Sequence, residues 1–141
     1  MTKIIITGGA GFIGSNLAKK LLDKNIESLL IIDDLSTGNE SNLTSIINDE
    51  RVEFINSRIE DIENINSLFS SYDACYHLAA GVGVQYIMDN LSQSLLTNIL
   101  ATHKVLEACQ NNNLPVLLTS TSEVYGVAKD EIWTEETKSL I

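Results

Sequence analysis

The stretch Ile4-Ile5-Ile6-Thr7-Gly8-Gly9-Ala10-Gly11-Phe12-Ile13-Gly14 restricts the fold more than any other part of the chain. A β-branched run ends in Thr7, a glycine-dense turn follows, and an amphipathic segment then begins. Strand, glycine loop and helix in that order form the context in which a glycine fingerprint carries meaning. Gly9, Gly11 and Gly14 fit G-x-G-x-x-G, and Gly8, Gly11 and Gly14 fit the wider G-x-x-G-x-x-G spacing. Such glycines let the chain turn tightly, let a pyrophosphate reach the main chain, and let the helix pack on the strand. The phosphates would sit at the start of the helix opened by Phe12, where unpaired amides and the helix dipole favour an anion. The competing reading is a glycine-rich turn with no ligand. Asp33, further along, weighs toward the nucleotide.

Downstream, apolar runs and helical patterns alternate, which predicts a parallel sheet with crossover helices. Strands are expected at residues 3–7, 29–33, 52–56, 74–78 and 116–122. Helices are expected at 12–23, 40–48, 62–70 and 91–111. The first helix should turn Ile13, Leu17, Leu21 and Leu22 inward, the third Ile62, Ile65, Leu68 and Phe69, and the long last one Leu95, Ile99, Leu106 and Cys109. With right-handed crossovers this is an α/β, Rossmann-type doubly wound sheet of order 3-2-1-4-5. The tail from Gly126 to Ile141 is acidic and reads as a loop. A doubly wound domain usually adds a sixth strand, so residues 1–141 read as an incomplete domain cut from a longer protein.

Composition narrows the function classes. The 141 residues carry a net charge of −10, with nine Lys and Arg scattered along the chain. That argues against a nucleic-acid or anionic-membrane surface. The N-terminus, with one Lys and a short apolar strand, is neither a signal peptide nor a membrane span. Cys75 and Cys109 fall in apolar elements and read as buried thiols of a cytoplasmic protein. His77 and His103 lack neighbours at ligand spacing, so no metal site is expected.

In an open parallel sheet, ligands bind beyond the carboxyl ends of the strands, where strand order reverses. Asp33 ends the second strand, nineteen residues after Gly14. That spacing suits an acid that hydrogen-bonds the adenosine ribose, which favours NAD over NADP because a carboxylate repels a 2′-phosphate. The alternative is a solvated loop carboxylate, since Asp34 follows directly. Past the third strand, Asp61 could cap the next helix. Past the fourth, the small residues of His77-Leu78-Ala79-Ala80-Gly81 would let a flat ring or a pyrophosphate lie on the backbone. Past the fifth, strand alternation puts Thr119, Thr121 and Glu123 on one face. Hydroxyls and a carboxylate there suit proton transfer; the competing reading is a polar strand end with turn residues.

Four motifs now carry a resemblance. Residues 7–15, the Asp33-Asp34-Leu35-Ser36-Thr37-Gly38 stretch, His77-Leu78-Ala79-Ala80, and Ser120-Thr121-Ser122-Glu123-Val124-Tyr125-Gly126 resemble the extended short-chain dehydrogenase/reductase superfamily. Within it they resemble the nucleotide-sugar epimerase, dehydratase and decarboxylase branch, with motifs closest to UDP-glucuronate decarboxylases. The resemblance implies an NAD-dependent enzyme that acts by transient oxidation of a nucleotide sugar. It implies a cofactor site of Gly8, Gly11, Phe12, Ile13, Gly14, Asp33, Ser36, Thr37, Gly38, Leu78, Ala79 and Ala80, with Asp61 and Ile62 flanking the adenine and Asn98 on the long helix. It implies Thr121 as the hydroxyl member of a Thr/Ser-Tyr-Lys catalytic set, Glu123 as a further catalytic group, and substrate contacts at Tyr86 and Ser122. The long helix would contribute to a homodimer. The family's Tyr-x-x-x-Lys lies downstream of the Thr, on a helix beyond this chain. Tyr125-Gly126-Val127-Ala128-Lys129 has the spelling but leaves a strand and meets a glycine, so it is set aside. Without a downstream Tyr and Lys, the alternative is a non-catalytic module that senses NAD.

Overall fold

A computed structural model of the chain describes residues 2–81, 84–125 and 132–134, with the backbone alone for residues 84–86, 122 and 123. Five parallel strands form one sheet in the order β3-β2-β1-β4-β5. They are β1 (Lys3–Thr7), β2 (Ser28–Asp33), β3 (Val52–Asn56), β4 (Ala74–His77) and β5 (Val116–Leu118). The expected order therefore holds. β1 lies at the centre, pairing Ile5 with Leu30 on one side and with Cys75 on the other. Because both faces of a parallel sheet are covered, β1 and β2 read as continuous apolar runs rather than alternating ones.

Alternate residues of these strands feed two separate cores. Ile5, Leu30, Ile32 and Cys75 pack with Ile65, Phe69, Val105 and Ala108 on one face. Ile4, Ile6, Leu29 and Ile31 pack with Ala18, Leu22 and Leu43 on the other. The helices are α1 (Phe12–Leu22), α2 (Ile65–Phe69), α3 (Val84–Asp89), α4 (Leu91–Leu95) and α5 (Thr102–Asn111), with a π-helical turn (Leu96–Ala101) joining the last two. Residues expected as a helix over 40–48 form only a 3₁₀ turn (Glu40–Leu43), capped by the Asn39 side chain on the Ser41 amide. The helix expected from residue 62 starts at Ile65. Ile65 and Phe69 are buried as expected, with Ile62 and Leu68 packed against them.

The expected face of the long helix needs correction, and so does one position of α1. In α1, Leu22 is buried and Leu17 and Leu21 pack against the second core as expected, while Ile13 is 65% exposed and Gly14, Ser15 and Ala18 are buried. In the long helix, Leu95, Ile99 and Leu106 point outward, while Ser94, Ala101, Val105, Ala108 and Cys109 are buried. In the long helix the buried row is mostly small residues. There the bulkier Leu95, Ile99 and Leu106 stand on the opposite face. Hydrophobic periodicity weighs size and so selects the outer row. Cys75 and Cys109 are buried free thiols, as expected.

Phe69 is fully buried at the centre of the first core. Phe69→Ala should cost ~3–5 kcal/mol by loss of transfer energy plus a residual cavity, read as a lower denaturant midpoint with an unchanged m-value. Leu68→Ala, on the rim of the same core, should cost clearly less.

Candidate functional site

The glycine loop lies at the carboxyl edge of the sheet, between β1 and β4, where strand order reverses. Gly8 takes φ +72°, and a Cβ there would lie 2.6 Å from the Ala79 nitrogen. Only glycine allows that conformation and that closeness together. A Cβ on Gly14 would collide with the Gly8 carbonyl, so the first turn of α1 sits directly on the loop. The first intrahelical bond runs from the Ser15 amide to the Gly11 carbonyl at 3.0 Å. The amides of Phe12, Ile13 and Gly14 come before it and face the open edge, as helix-start amides do. Phe12 is 83% exposed beside them.

Asp33 is buried at the end of β2 and braces two loops. Its Oδ2 accepts the Ala10 amide at 2.9 Å and its Oδ1 the Leu35 amide at 2.9 Å. The Ala10 carbonyl in turn accepts the Asn39 amide and the Asn42 side-chain amide, at 3.1 and 2.8 Å. Leu35 is held at φ +58°, where a branched residue stays only if its surroundings impose it. Each Asp33 oxygen keeps lone-pair capacity for a hydroxyl after accepting one amide. Ser36 and Thr37 are exposed past this turn, and Gly38 packs against the Asp33 carboxylate.

A second brace joins β1 to β4 below the loops. Thr7 Oγ1 lies 2.6 Å from His77 Nδ1, His77 Nε2 lies 2.9 Å from Thr102 Oγ1, and the Ala79 amide donates to Thr7 Oγ1 at 3.3 Å. With Thr7 donating to Nδ1 and Nε2–H donating to Thr102 Oγ1, the neutral ring has a partner at each nitrogen while Thr7 Oγ1 also accepts the Ala79 amide. Burial, with His77 1% exposed, drives its pKa down from 6.5 to about 4. The post-β4 loop is also held from the helix side. Asn98 accepts the Gly81 amide at 2.7 Å and donates to the Gly81 carbonyl at 3.2 Å. Its side chain thus grips this loop, with Leu78, Ala79 and Ala80 half-buried along it.

Other expected positions fall differently. Asp61 is exposed at the end of a 3₁₀ turn (Ile59–Asp61) and does not cap α2, whose N-cap is Asn64. Ile62 is half-buried with one side against the first core, and the chain beyond β3 also brings Arg58 beside Asp34. β5 stops at Leu118, so the alternation that would align Thr119, Thr121 and Glu123 does not apply. The physical reason lies in β4, which ends at His77: the Thr119 amide still meets the His77 carbonyl at 3.5 Å, but the amides that follow on the β4 side, Leu78 and Ala79, bond Thr7. Thr121 is exposed and its carbonyl accepts the Val124 amide at 3.3 Å, opening a 3₁₀ turn (Ser122–Tyr125). The side chains of Tyr86, Ser122 and Glu123, and all of Lys129, lie outside the described residues. Tyr125 stands in the 3₁₀ turn and stacks on Trp133 with ring centroids 5.4 Å apart. Among the described residues no cluster of His, Cys, Asp or Glu could hold a metal ion.

A glycine loop at the switch point of a doubly wound parallel sheet defines the Rossmann class. Residues 5–140 match the family model for GDP-mannose 4,6 dehydratase. The chain therefore belongs to the extended short-chain dehydrogenase/reductase family of nucleotide-sugar epimerases, dehydratases and decarboxylases. It is 36% identical over 124 residues to UDP-glucuronic acid decarboxylase 6 of Arabidopsis thaliana, covering 88% of this chain and 35% of the relative. It superposes with a TM-score of 0.87 and 32% identity on a UDP-N-acetylglucosamine 4-epimerase from Methanobrevibacter ruminantium, solved with UDP-N-acetylmuramic acid, covering 99% of this chain and 44% of the other. A dTDP-glucose 4,6-dehydratase from Streptomyces venezuelae, solved with NAD bound, gives a TM-score of 0.86 and 30% identity over 98% of this chain and 45% of its own. The chain thus spans between a third and a half of the length of these relatives.

The Thr7, His77 and Thr102 brace has a pH signature. Between pH 6.5 and about 4 the unfolded chain protonates His77 and the folded one does not. This contribution to stability is therefore complete above the unfolded value and is lost as pH falls through that window, about 3 kcal/mol in all. His77→Gln should lower stability at pH 7.5 and flatten this part of the pH dependence, measured by urea unfolding of both proteins at pH 7.5, 6 and 5.

Proposed function

We propose that this chain is the dinucleotide-binding part of an NAD-dependent enzyme that epimerises, dehydrates or decarboxylates a nucleotide sugar. The observation that carries the reading is the Asp33 carboxylate braced between the glycine loop and the post-β2 loop, with open amides of α1 alongside. These features fit NAD. The glycines leave room where a Cβ would intrude, the helix start favours a pyrophosphate, and Asp33 retains acceptor capacity for the ribose hydroxyls. When bound, NAD supplies the hydride acceptor for transient oxidation of the sugar.

The residues of this chain bind and orient. Gly8, Gly11, Phe12, Ile13 and Gly14 hold the phosphates, and Asp33 holds the ribose. Ser36, Thr37 and Gly38 line the turn beside it, with Asp61 and Ile62 toward the adenine side. Leu78, Ala79 and Ala80 line the centre of the cleft, under the grip of Asn98 on Gly81. Thr121 hydrogen-bonds the reacting sugar oxygen, and Glu123 serves as a further acid or base. Tyr86 and Ser122 contact the sugar.

The outward row of Leu91, Leu95, Leu96, Ile99 and Leu100 supports a homodimer through the long helix. Reduced buried thiols, the acidic charge and the absence of a membrane-length apolar helix among the described residues agree with a cytoplasmic enzyme without nucleic-acid partners.

In the full-length protein, Asp33→Asn should weaken NAD binding by about tenfold or more, because asparagine keeps a single acceptor oxygen and its NH2 would face one of the two backbone amides, so one brace is lost. Calorimetric titration checks this, and unaltered NAD affinity would refute the ribose role. Thr121→Val should lower turnover of UDP-glucuronate or UDP-glucose, whichever product analysis identifies as substrate. Tyr125→Phe should leave turnover largely intact.

A further inference from the structure

The corner that receives the adenosine ribose contains a second charge pair outside the glycine fingerprint. Arg58, two residues beyond β3, sends its Nε to within 3.6 Å of Asp34 Oδ2. Its Nη1 donates to Gln93 Oε1 of α4 at 3.1 Å. Gln93 in turn donates to Glu60 Oε1 at 3.2 Å, and Asp34 Oδ1 accepts the Ser36 amide at 2.9 Å. The neighbouring Ser57 amide bonds the Asp33 carbonyl at 3.1 Å, so Arg58 leaves the sheet beside the ribose-binding acid. The guanidinium is therefore held from two elements and its side chain remains 46% exposed. Two recognition chemistries meet here. A carboxylate at this corner selects a free ribose 2′-hydroxyl, and a nearby arginine accepts a 2′-phosphate.

Asp34 decides between them. Its carboxylate occupies Arg58 and cancels its charge, leaving Asp33 to set the sign of the corner. We infer that Asp34 is a specificity-determining residue that secures selection of NAD over NADP by neutralising Arg58. This rests on the dinucleotide reading above and adds a residue with no role in it. Without Asp34, the same guanidinium is free to pair with a 2′-phosphate by charge-assisted, bidentate hydrogen bonds.

The test is calorimetric titration of the full-length protein with NAD and with NADP at low ionic strength, for the unmodified protein, Asp34→Asn, Arg58→Ala and the double variant. The unmodified protein should bind NAD far more tightly than NADP. Asp34→Asn should raise NADP affinity by about tenfold while changing NAD affinity by less than about threefold. The double variant should lose that gain. Arg58→Ala alone should widen the preference for NAD, because Asp34 is then an unpaired negative charge. This variant gives an independent reading if Asp34→Asn does not fold. The gain in Asp34→Asn should shrink in 0.5 M salt, as expected for an exposed charge pair. An Asp34→Asn protein that binds NAD normally and shows no gain for NADP would overturn the inference, as would a gain that survives in the double variant. If the unmodified protein binds neither dinucleotide, the functional reading itself fails, and that outcome is distinct from the other two.

Discussion

The hydrogen bond between Thr7 and His77, at 2.6 Å, joins the ends of the two strands between which the sheet reverses its order. Everything at the carboxyl edge is referred to it. Thr7 immediately precedes the glycine loop, His77 immediately precedes the loop through Ala79 and Gly81, and Thr102 brings in the long helix. A charged imidazole would face two hydroxyls in a buried site without a counter-ion. The neutral ring is fully satisfied, donating on one side and accepting on the other. The arrangement holds two backbone loops at the distance at which a Gly8 side chain would already collide with Ala79.

On the other side of β1, Asp33 does the equivalent work with a charge. It meets two backbone amides on separate loops, and the Ala10 carbonyl returns the connection through Asn39 and Asn42. The edge is thus assembled by polar groups above a sheet whose two faces are held by apolar packing. Cores of that kind tolerate exchange of one aliphatic residue for another better than polar networks tolerate loss of a partner.

Much of this was legible in the residues. The run from Ile4 to Gly14 and the acidic end at Asp33 fixed strand, loop and helix, and alternation of apolar runs fixed the strand order. The inner face of the long helix was not legible, because Ser94, Ala101 and Ala108 are small and the larger Leu95, Ile99 and Leu106 dominate a hydrophobic count. The extent of β5 was misread for a different reason. A strand ends where its neighbour stops offering partners, and the departure of β4 after His77 is a tertiary event. The brace through Thr7, His77 and Thr102, and the pairing of Arg58 with Asp34, join residues that are 24 to 70 positions apart. Nothing local marks such pairs. The rule of inspecting residues just past each strand does reach Arg58, but its partner emerges only from the packing of β3 beside β2.

The central place of β1 has a consequence for the order in which the molecule can form. Its apolar residues Ile4, Ile5 and Ile6 pair with β2 about 25 positions away, but on their other edge they wait for Ala74, Cys75 and Tyr76. During synthesis, a ribbon of β1, β2 and β3 can assemble early while β1 still presents an unpaired edge. Closure then depends on a loop of about 70 residues, an entropically slow step for a parallel sheet. Until β4 arrives, that open edge is the site most prone to pairing with another nascent chain. Rapid emergence of the segment through His77 therefore protects the molecule as much as it completes it.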